Sequence, residues 1–183
     1  MQAASDASSS GMVAVIGLDA SKVAELCKEA SERTGKHVTI ANYLGKGNYV
    51  ASGAKEACAA VQELGPKYGS KLIRQLDVAG AFHTKFMEPA VITLQKALAE
   101  VKIQTPRIPV ISNVDAKPHY DAHEIRDILT RQVTNPVQWE TIISTMLQSP
   151  SYTKGYEIGP GNVLKNLIKK VGKQFEVDSI GVE

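Results

Sequence analysis

Little in this chain of 183 residues points to a covalent or metal scaffold. There are two cysteines, Cys27 and Cys58, too few for a disulfide framework and in keeping with a reducing or neutral compartment. Long apolar runs are missing, so no segment is expected to span a bilayer as a helix. An excess of one charge is missing too. The 21 lysines and arginines face 19 aspartates and glutamates, a balance of +2 that does not suit a protein coating nucleic acid. No G-x-S-x-G nucleophile elbow occurs anywhere in the chain, and no Cys–His arrangement replaces it. Residues 1–11 are rich in alanine and serine but lack the arginines of a transit peptide and the apolar core of a secretory signal. They read as a helix tail and loop with no visible address.

What is present is a globular composition. Apolar residues make up 43% and charged residues 22%, which excludes disorder, collagen-like repeats and coiled-coil rods. The length fits one domain, or a domain with a small inserted lobe.

The first part of the chain alternates between two periodicities. Met12-Val13-Ala14-Val15-Ile16 predicts a buried strand. Asp19 is placed to cap a helix on which Val23, Leu26, Cys27 and Ala30 recur at helical spacing, and Gly35 ends it. Val38-Thr39-Ile40 and Asn48-Tyr49-Val50-Ala51 predict two strands across a glycine-bearing turn. A second helix is expected from about Ala54, with Cys58, Val61 and Leu64 on one side and Gly65-Pro66 as its stop. Residues 71–78 predict a fourth strand, with Leu72, Leu76 and Val78 on one face. This is the split βαβ, or ferredoxin-like, order βαββαβ. It divides the chain into a tail (1–11), a ferredoxin-like lobe (12–79) and a remainder (80–183).

From Gly80 onward longer helices appear. Glu88-Pro89 opens one with a stripe of Val91, Leu94, Leu98 and Val101. Pro109-Val110-Ile111-Ser112 predicts a strand, and Asp121 with Glu124 a capped helix lined by Ile125, Ile128, Leu129 and Gln132. Asn135-Pro136 is expected to start another helix, carrying Trp139, Ile143 and Met146. Tyr156-Glu157-Ile158 leads through Gly159-Pro160-Gly161 into a helix with Leu164, Leu167, Ile168 and Val171, and residues 177–182 predict a closing strand. This half reads as part of an α/β layer that needs more strands than it has.

His83 stands directly after a predicted strand and before a helix, where ligands meet open α/β sheets. A histidine there can take a proton from a nucleophile near neutral pH. Gln132 interrupts an apolar stripe, so its amide is expected to face inward and find partners. It reads either as a helix-end residue or as a group near an active site. His119 and His123 are split by the cap at Asp121, so a solvated loop is expected there and not a metal site. Cys27 and Cys58 read as small core residues. Gly159-Pro160-Gly161 reads as a tight turn whose following helix start can receive an anion. An RNA-recognition motif would carry aromatics where Asn48 and Val50 stand; only Tyr49 is aromatic, on the opposite face.

Several motifs in order are similar to those of the malonyl-CoA:acyl-carrier-protein transacylase family. They are Ser10-Gly11-Met12, Ala41-Asn42-Tyr43, Gly80-Ala81-Phe82-His83 and Met87-Glu88-Pro89. Further on come Pro109-Val110-Ile111-Ser112-Asn113-Val114-Asp115, Arg131-Gln132, Asn135-Pro136-Val137-Gln138-Trp139 and Glu157-Ile158-Gly159-Pro160-Gly161. The resemblance implies an α/β-hydrolase-like large subdomain, present here in part, with a ferredoxin-like small subdomain. It implies ping-pong transfer of malonyl from malonyl-CoA, through a serine, to the phosphopantetheine thiol of acyl carrier protein in fatty acid synthesis. His83 falls on the family's catalytic histidine, a base and then an acid held by backbone carbonyls and not by an aspartate. Gln132 falls beside that histidine, Phe82 on the position that favours malonyl over methylmalonyl groups, and Asn42 on the cleft between subdomains. No cofactor or metal is implied; the partners are acyl carrier protein and a CoA thioester, with neither nucleic acid nor membrane.

The resemblance also implies what these residues lack. The family's elbow serine, its first oxyanion glutamine and the arginine that pairs with the malonyl carboxylate precede the residues that match Met1-Gln2. The chain therefore reads as a C-terminal portion, with negligible transfer expected alone and with unpaired strand edges that favour aggregation. The alternative is a non-catalytic fragment that binds acyl carrier protein or CoA through Lys46, Lys55, Lys67, Lys71 and Arg74. Residues 86–90 and 106–118 are worded most like plant and algal plastid members, which implies a plastid, with mitochondrion and cytoplasm as alternatives.

Overall fold

Val13 and Val15 are fully buried and alternate with Met12 and Ala14, so the first strand has two distinct faces. In the computed structural model, which describes residues 1–181, a short helix α1 (Gln2–Asp6) leads into that strand, β1 (Ser10–Ile16). It begins before the apolar run because Ser10 and Gly11 pair with Ala54 and Gly53. Helix α2 (Ala20–Thr34) follows, its first turn capped by Asp19, whose Oδ1 accepts from the Lys22 amide at 2.9 Å. Strands β2 (Val38–Gly45) and β3 (Asn48–Ala54) then form a hairpin, followed by α3 (Lys55–Tyr68) and β4 (Leu72–Gln75).

The four strands lie in the order β2-β3-β1-β4, every pair antiparallel, which is the ferredoxin-like arrangement. Helices α2 and α3 cover one face. Val23, Leu26, Ala57 and Val61 pack there on Val13, Val15, Ile40 and Tyr49. Each of the valines, leucine and isoleucine buried there contributes about 1.5–3 kcal/mol of transfer free energy.

Two expectations fail within this unit. Helix α3 runs through Gly65-Pro66 and ends at Tyr68. The Gly69 amide bonds the Pro66 carbonyl and the Ser70 amide the Gly65 carbonyl, so the final turn closes around the proline. Gly65 is needed there for another reason: a Cβ would collide with Ile73 of β4. On β4 the inward residue is Ile73, opposite Val15, while Leu72 is 52% exposed and Val78 is exposed beyond the strand. The pairing register decides which face is buried, and it selects Ile73.

Beyond residue 80 a 3₁₀ turn, Lys85–Met87, enters α4 (Glu88–Glu100). A two-residue hairpin of β5 (Val110–Ile111) and β6 (Pro118–His119) precedes α5 (Ala122–Arg131) and α6 (Trp139–Gln148). Strands β7 (Lys154–Ile158) and β8 (Glu176–Ile180) pair in parallel around the crossover helix α7 (Val163–Val171). Val182 of the expected closing strand lies outside the described residues.

Helix α6 starts at Trp139 and not at Asn135, because the intervening segment bonds elsewhere. The Asn135 amide still reaches the Arg131 carbonyl, and Val137 bridges to β2 through Ala41 and Tyr43. The stripe on α4 is only partly covered: Ala90 is buried, whereas Leu94 and Leu98 border a hollow of about 440 Å³ with Leu129, Gln132 and Val133. Val101 lies past the helix end and is exposed. Among the described residues no helix is long and apolar enough to cross a membrane.

Candidate active site

The sheet face away from α2 and α3 meets the segment 80–84. Met12, Ala41 and Val50 are buried on that face, with Leu44, Leu76 and Phe82 packed against them. Phe82 also touches the cluster of Ala4, Met87 and Ala90, so its ring joins the lobe to the start of α4. Three small hydroxyls pin the backbone around it. Ser10 Oγ accepts from the Ala81 amide at 3.1 Å, Ser52 Oγ donates to the Phe82 carbonyl at 2.9 Å, and Thr84 Oγ1 donates to the Ala81 carbonyl at 2.7 Å. Gly80 lies against α1, where a Cβ would come within 2.6 Å of Ser5 Oγ.

His83 sits at φ +60°, a left-handed conformation that non-glycine residues adopt only when their surroundings impose it. The imposing contacts are two carbonyls at the end of α5. The His83 amide donates to Val133 O at 3.1 Å, and Nδ1 lies 2.9 Å from Gln132 O. A carbonyl only accepts, so Nδ1 carries the proton and the neutral ring keeps its lone pair on Nε2. Nε2 has no hydrogen-bond partner among the described residues. The arrangement is that of a general base or acid oriented without a carboxylate.

Gln132 is therefore next to His83, but by its main chain. Its amide side chain makes no hydrogen bond among the described contacts and borders the hollow beside α4. Asn42 falls at a β-bulge, where the register shifts after Ile40 and Asn42 pairs with Val50 of the cluster that holds Phe82. Of the five basic residues named for binding, Lys46 and Lys71 share one depression of about 670 Å³, joined by Lys170, while Lys55, Lys67 and Arg74 lie outside it.

Two other readings are corrected, at the start of α7 and at His119. The start of α7 holds no vacant anion site, because Glu157 Oε1 and Oε2 accept from the Leu164 and Lys165 amides at 2.9 Å each. His119 is not a solvated loop residue: its side chain is 12% exposed and lies between Asp115 and Glu124. Among the described residues no group of three His, Cys, Asp or Glu side chains is arranged to hold a metal ion. Burial pushes the Cys27 thiol up to about 12 and the Cys58 thiol up to about 11, which keeps both protonated. Tyr49 is buried beneath the helices and donates to Glu140 Oε2 at 3.2 Å, while Phe82 closes the face on which bases would stack.

Sequence reasoning did not single out Ser52 or Thr84, quoted Ser10 only as part of a motif, and took backbone carbonyls behind His83 from the resemblance without saying which residues carry them. Ser52 had one legible signal, a hydroxyl at an inward position of an alternating strand, whereas a carbonyl is carried by every residue and gives none.

No family model matches the chain. Curated relatives do. The chain is 37% identical over 171 residues to the malonyl CoA-acyl carrier protein transacylase of Salmonella typhimurium, covering 93% of this chain and 54% of that protein. It is 35% identical to the mitochondrial enzyme of that name from Homo sapiens, over 95% of this chain and 47% of the relative. Among solved structures, malonyl-CoA:acyl carrier protein transacylase from Xanthomonas oryzae superposes with a TM-score of 0.90 at 34% identity, over 97% of this chain and 56% of the other. A malonyl-transacylase in complex with a type II polyketide synthase acyl-carrier protein gives a TM-score of 0.86 at 31% identity, over 95% and 55%. The chain thus spans about half the length of the curated relatives it matches. By the likeness of its fold and its sequence to theirs, the chain belongs to the malonyl-CoA:acyl carrier protein transacylase family, matching its C-terminal half.

Proposed function

We propose that the chain supplies the histidine side of a malonyl transferase, moving malonyl from malonyl-CoA to the phosphopantetheine thiol of acyl carrier protein. The observation that carries this is His83, anchored at Nδ1 by Gln132 O with Nε2 free. In this reading Nε2 takes the proton of a serine hydroxyl as it attacks the thioester, and returns it to the departing CoA sulfur. In the second half it takes the pantetheine thiol proton as that sulfur attacks the malonyl-serine ester, and returns the proton to the serine oxygen as its bond to the malonyl carbon breaks. The Gln132 carbonyl stabilises the imidazolium formed each time. The serine is supplied from outside these 183 residues, which contain no G-x-S-x-G sequence.

Residues 12–79 are then the inserted lobe and residues 80–183 part of the large subdomain, with 1–11 leading in. Phe82 limits the acyl group to malonyl size, and Asn42 borders the cleft. No cofactor takes part. Location in a plastid is part of the proposal and is supported by the wording of residues 86–90 and 106–118.

The test combines the chain with the unmatched N-terminal segment of a bacterial relative and follows malonyl transfer to carrier protein. Substituting His83→Gln should lower the rate about 10²–10⁴-fold. The chain alone should carry no malonyl adduct by mass spectrometry, and finding one would overturn the reading.

Binding without catalysis is the second reading, favoured by the depression bordered by Lys46, Lys71 and Lys170. It predicts that acidic carrier protein associates at low salt and that His83→Gln leaves the association unchanged.

A further inference from the structure

His119 closes a clasp at the opposite end of α5 from His83. Its Nε2 is 3.1 Å from both oxygens of Asp115, in the turn between β5 and β6, and its Nδ1 is 3.3 Å from Glu124 Oε2, in the first turn of α5. A neutral imidazole has one N–H and one lone pair, so it can serve only one of these carboxylates and turns a lone pair toward the other. Only the imidazolium satisfies both. The other charged groups nearby are committed elsewhere or add to the balance. Asp121 accepts from the His123 and Glu124 amides, and Lys117 beside Asp115 offsets part of the negative charge.

The clasp joins two elements that together fix the carbonyls holding His83. Gln132 O and Val133 O end α5, and Glu124 to Gln132 spans about 12 Å of helix at 1.5 Å per residue. The β5–β6 hairpin runs beside it. Val110, Ile111, Ser112 and Asn113 face Ile125, Ile128, Leu129 and Gln132 across a cavity of about 100 Å³. The hairpin also reaches past the helix end, where Asn113 O accepts from the Gln138 amide at 2.8 Å. The contact between hairpin and helix is thus loosely filled along its length and closed by charge at its far end.

We infer that His119 is a positioning residue: protonated, it clamps the β5–β6 hairpin onto α5 and so holds the Gln132 carbonyl on the His83 ring and the Val133 carbonyl on the His83 amide. Burial works against the charge on His119, but hydrogen bonds to Asp115 and Glu124 outweigh it and raise its pKa above 6.5. The clasp is therefore complete below that ordinary value and is lost as pH rises through the raised one. The inference rests on the proposed role of His83 only for its consequence in transfer, because its test reads the ring itself.

That test is a pH titration of the histidine ring resonances by NMR in the full chain and in the His119→Gln and Glu124→Gln variants. The His119 resonance should titrate above the range of a free imidazole, and Glu124→Gln should move its midpoint down. The His83 resonances should show an inflection at the His119 midpoint that disappears in His119→Gln. If they show none in the native chain, or keep it in His119→Gln, the inference is overturned while the reading of His83 in transfer stands. Glu124→Gln is the second probe should His119→Gln fail to fold, and a His119 midpoint unmoved by it would equally sink the clasp.

Discussion

His83 Nδ1 lies 2.9 Å from the carbonyl oxygen of Gln132, and its own amide bonds the next carbonyl, that of Val133. Main chain thus does what a carboxylate does in a three-residue triad: it fixes the tautomer and orients the ring. The difference has a consequence for mutagenesis, because a carbonyl cannot be removed by changing its side chain.

Gln132→Ala should accordingly leave the His83 ring where it is. The amide it deletes has no hydrogen bond among the described contacts, so stability should change by no more than about 0.5 kcal/mol. Nitrogen NMR should still report the proton of neutral His83 on Nδ1. A shift of that proton to Nε2 would show that the amide, and not the carbonyl, sets the tautomer.

Ser52→Ala should be costly for a residue so small. Its hydroxyl is buried and is bonded to the Phe82 carbonyl at 2.9 Å. Removing it strands that carbonyl behind the sheet, at about 1–3 kcal/mol. Denaturant unfolding should show the midpoint falling with little change in slope, and Ser52→Thr, which keeps the hydroxyl, should lose less if the methyl group fits. An unchanged midpoint in Ser52→Ala would mean that water reaches the Phe82 carbonyl.

Gly80→Ala probes the contact between α1 and the same segment. The new Cβ would lie 2.6 Å from Ser5 Oγ and 2.9 Å from Ser5 Cβ, and overpacking of this kind costs about 1–3 kcal/mol. Ser5→Gly removes both atoms, so the double variant should recover most of the loss. Strict additivity of the two single changes would show that the segments do not touch in solution.

The parts of this molecule that repeat at short range were legible in the sequence. Asp19 and Gly35 bracket α2 as their side chains and backbone freedom dictate, and the alternation of Val13 and Val15 with Met12 gives the sheet its two faces. Position on the chain was enough to single out His83. What stayed hidden depends on pairing over distance. Leu72 and Ile73 are both apolar, and only the register against β1 buries the second. Val137 reads as helix from the sequence alone until its bonds to Ala41 and Tyr43 pull it into the edge of β2. His119 looked solvated because Asp115 and Glu124 reach it from a turn and a helix that sequence spacing alone does not bring together.

Glu157 offers a test of the same kind at acid pH. Its carboxylate caps α7, and hydrogen bonds from the Lys165 amide first and the Leu164 amide next outweigh burial and hold its pKa below 4.5. A depressed carboxylate stabilises the fold above its ordinary value and loses that contribution as pH falls through the depressed one. The first turn of α7 should therefore be protected at neutral pH and loosen below about pH 4.5, read as faster amide exchange at Leu164 and Lys165 relative to Ile168 further along the helix, after correction for the intrinsic pH dependence of exchange. Glu157→Gln retains an acceptor but no charge, so its first turn should exchange faster at neutral pH and show no further loosening across the acid range. Identical corrected profiles for the two proteins would mean that the helix start is held by its backbone geometry and that the carboxylate beside it is incidental.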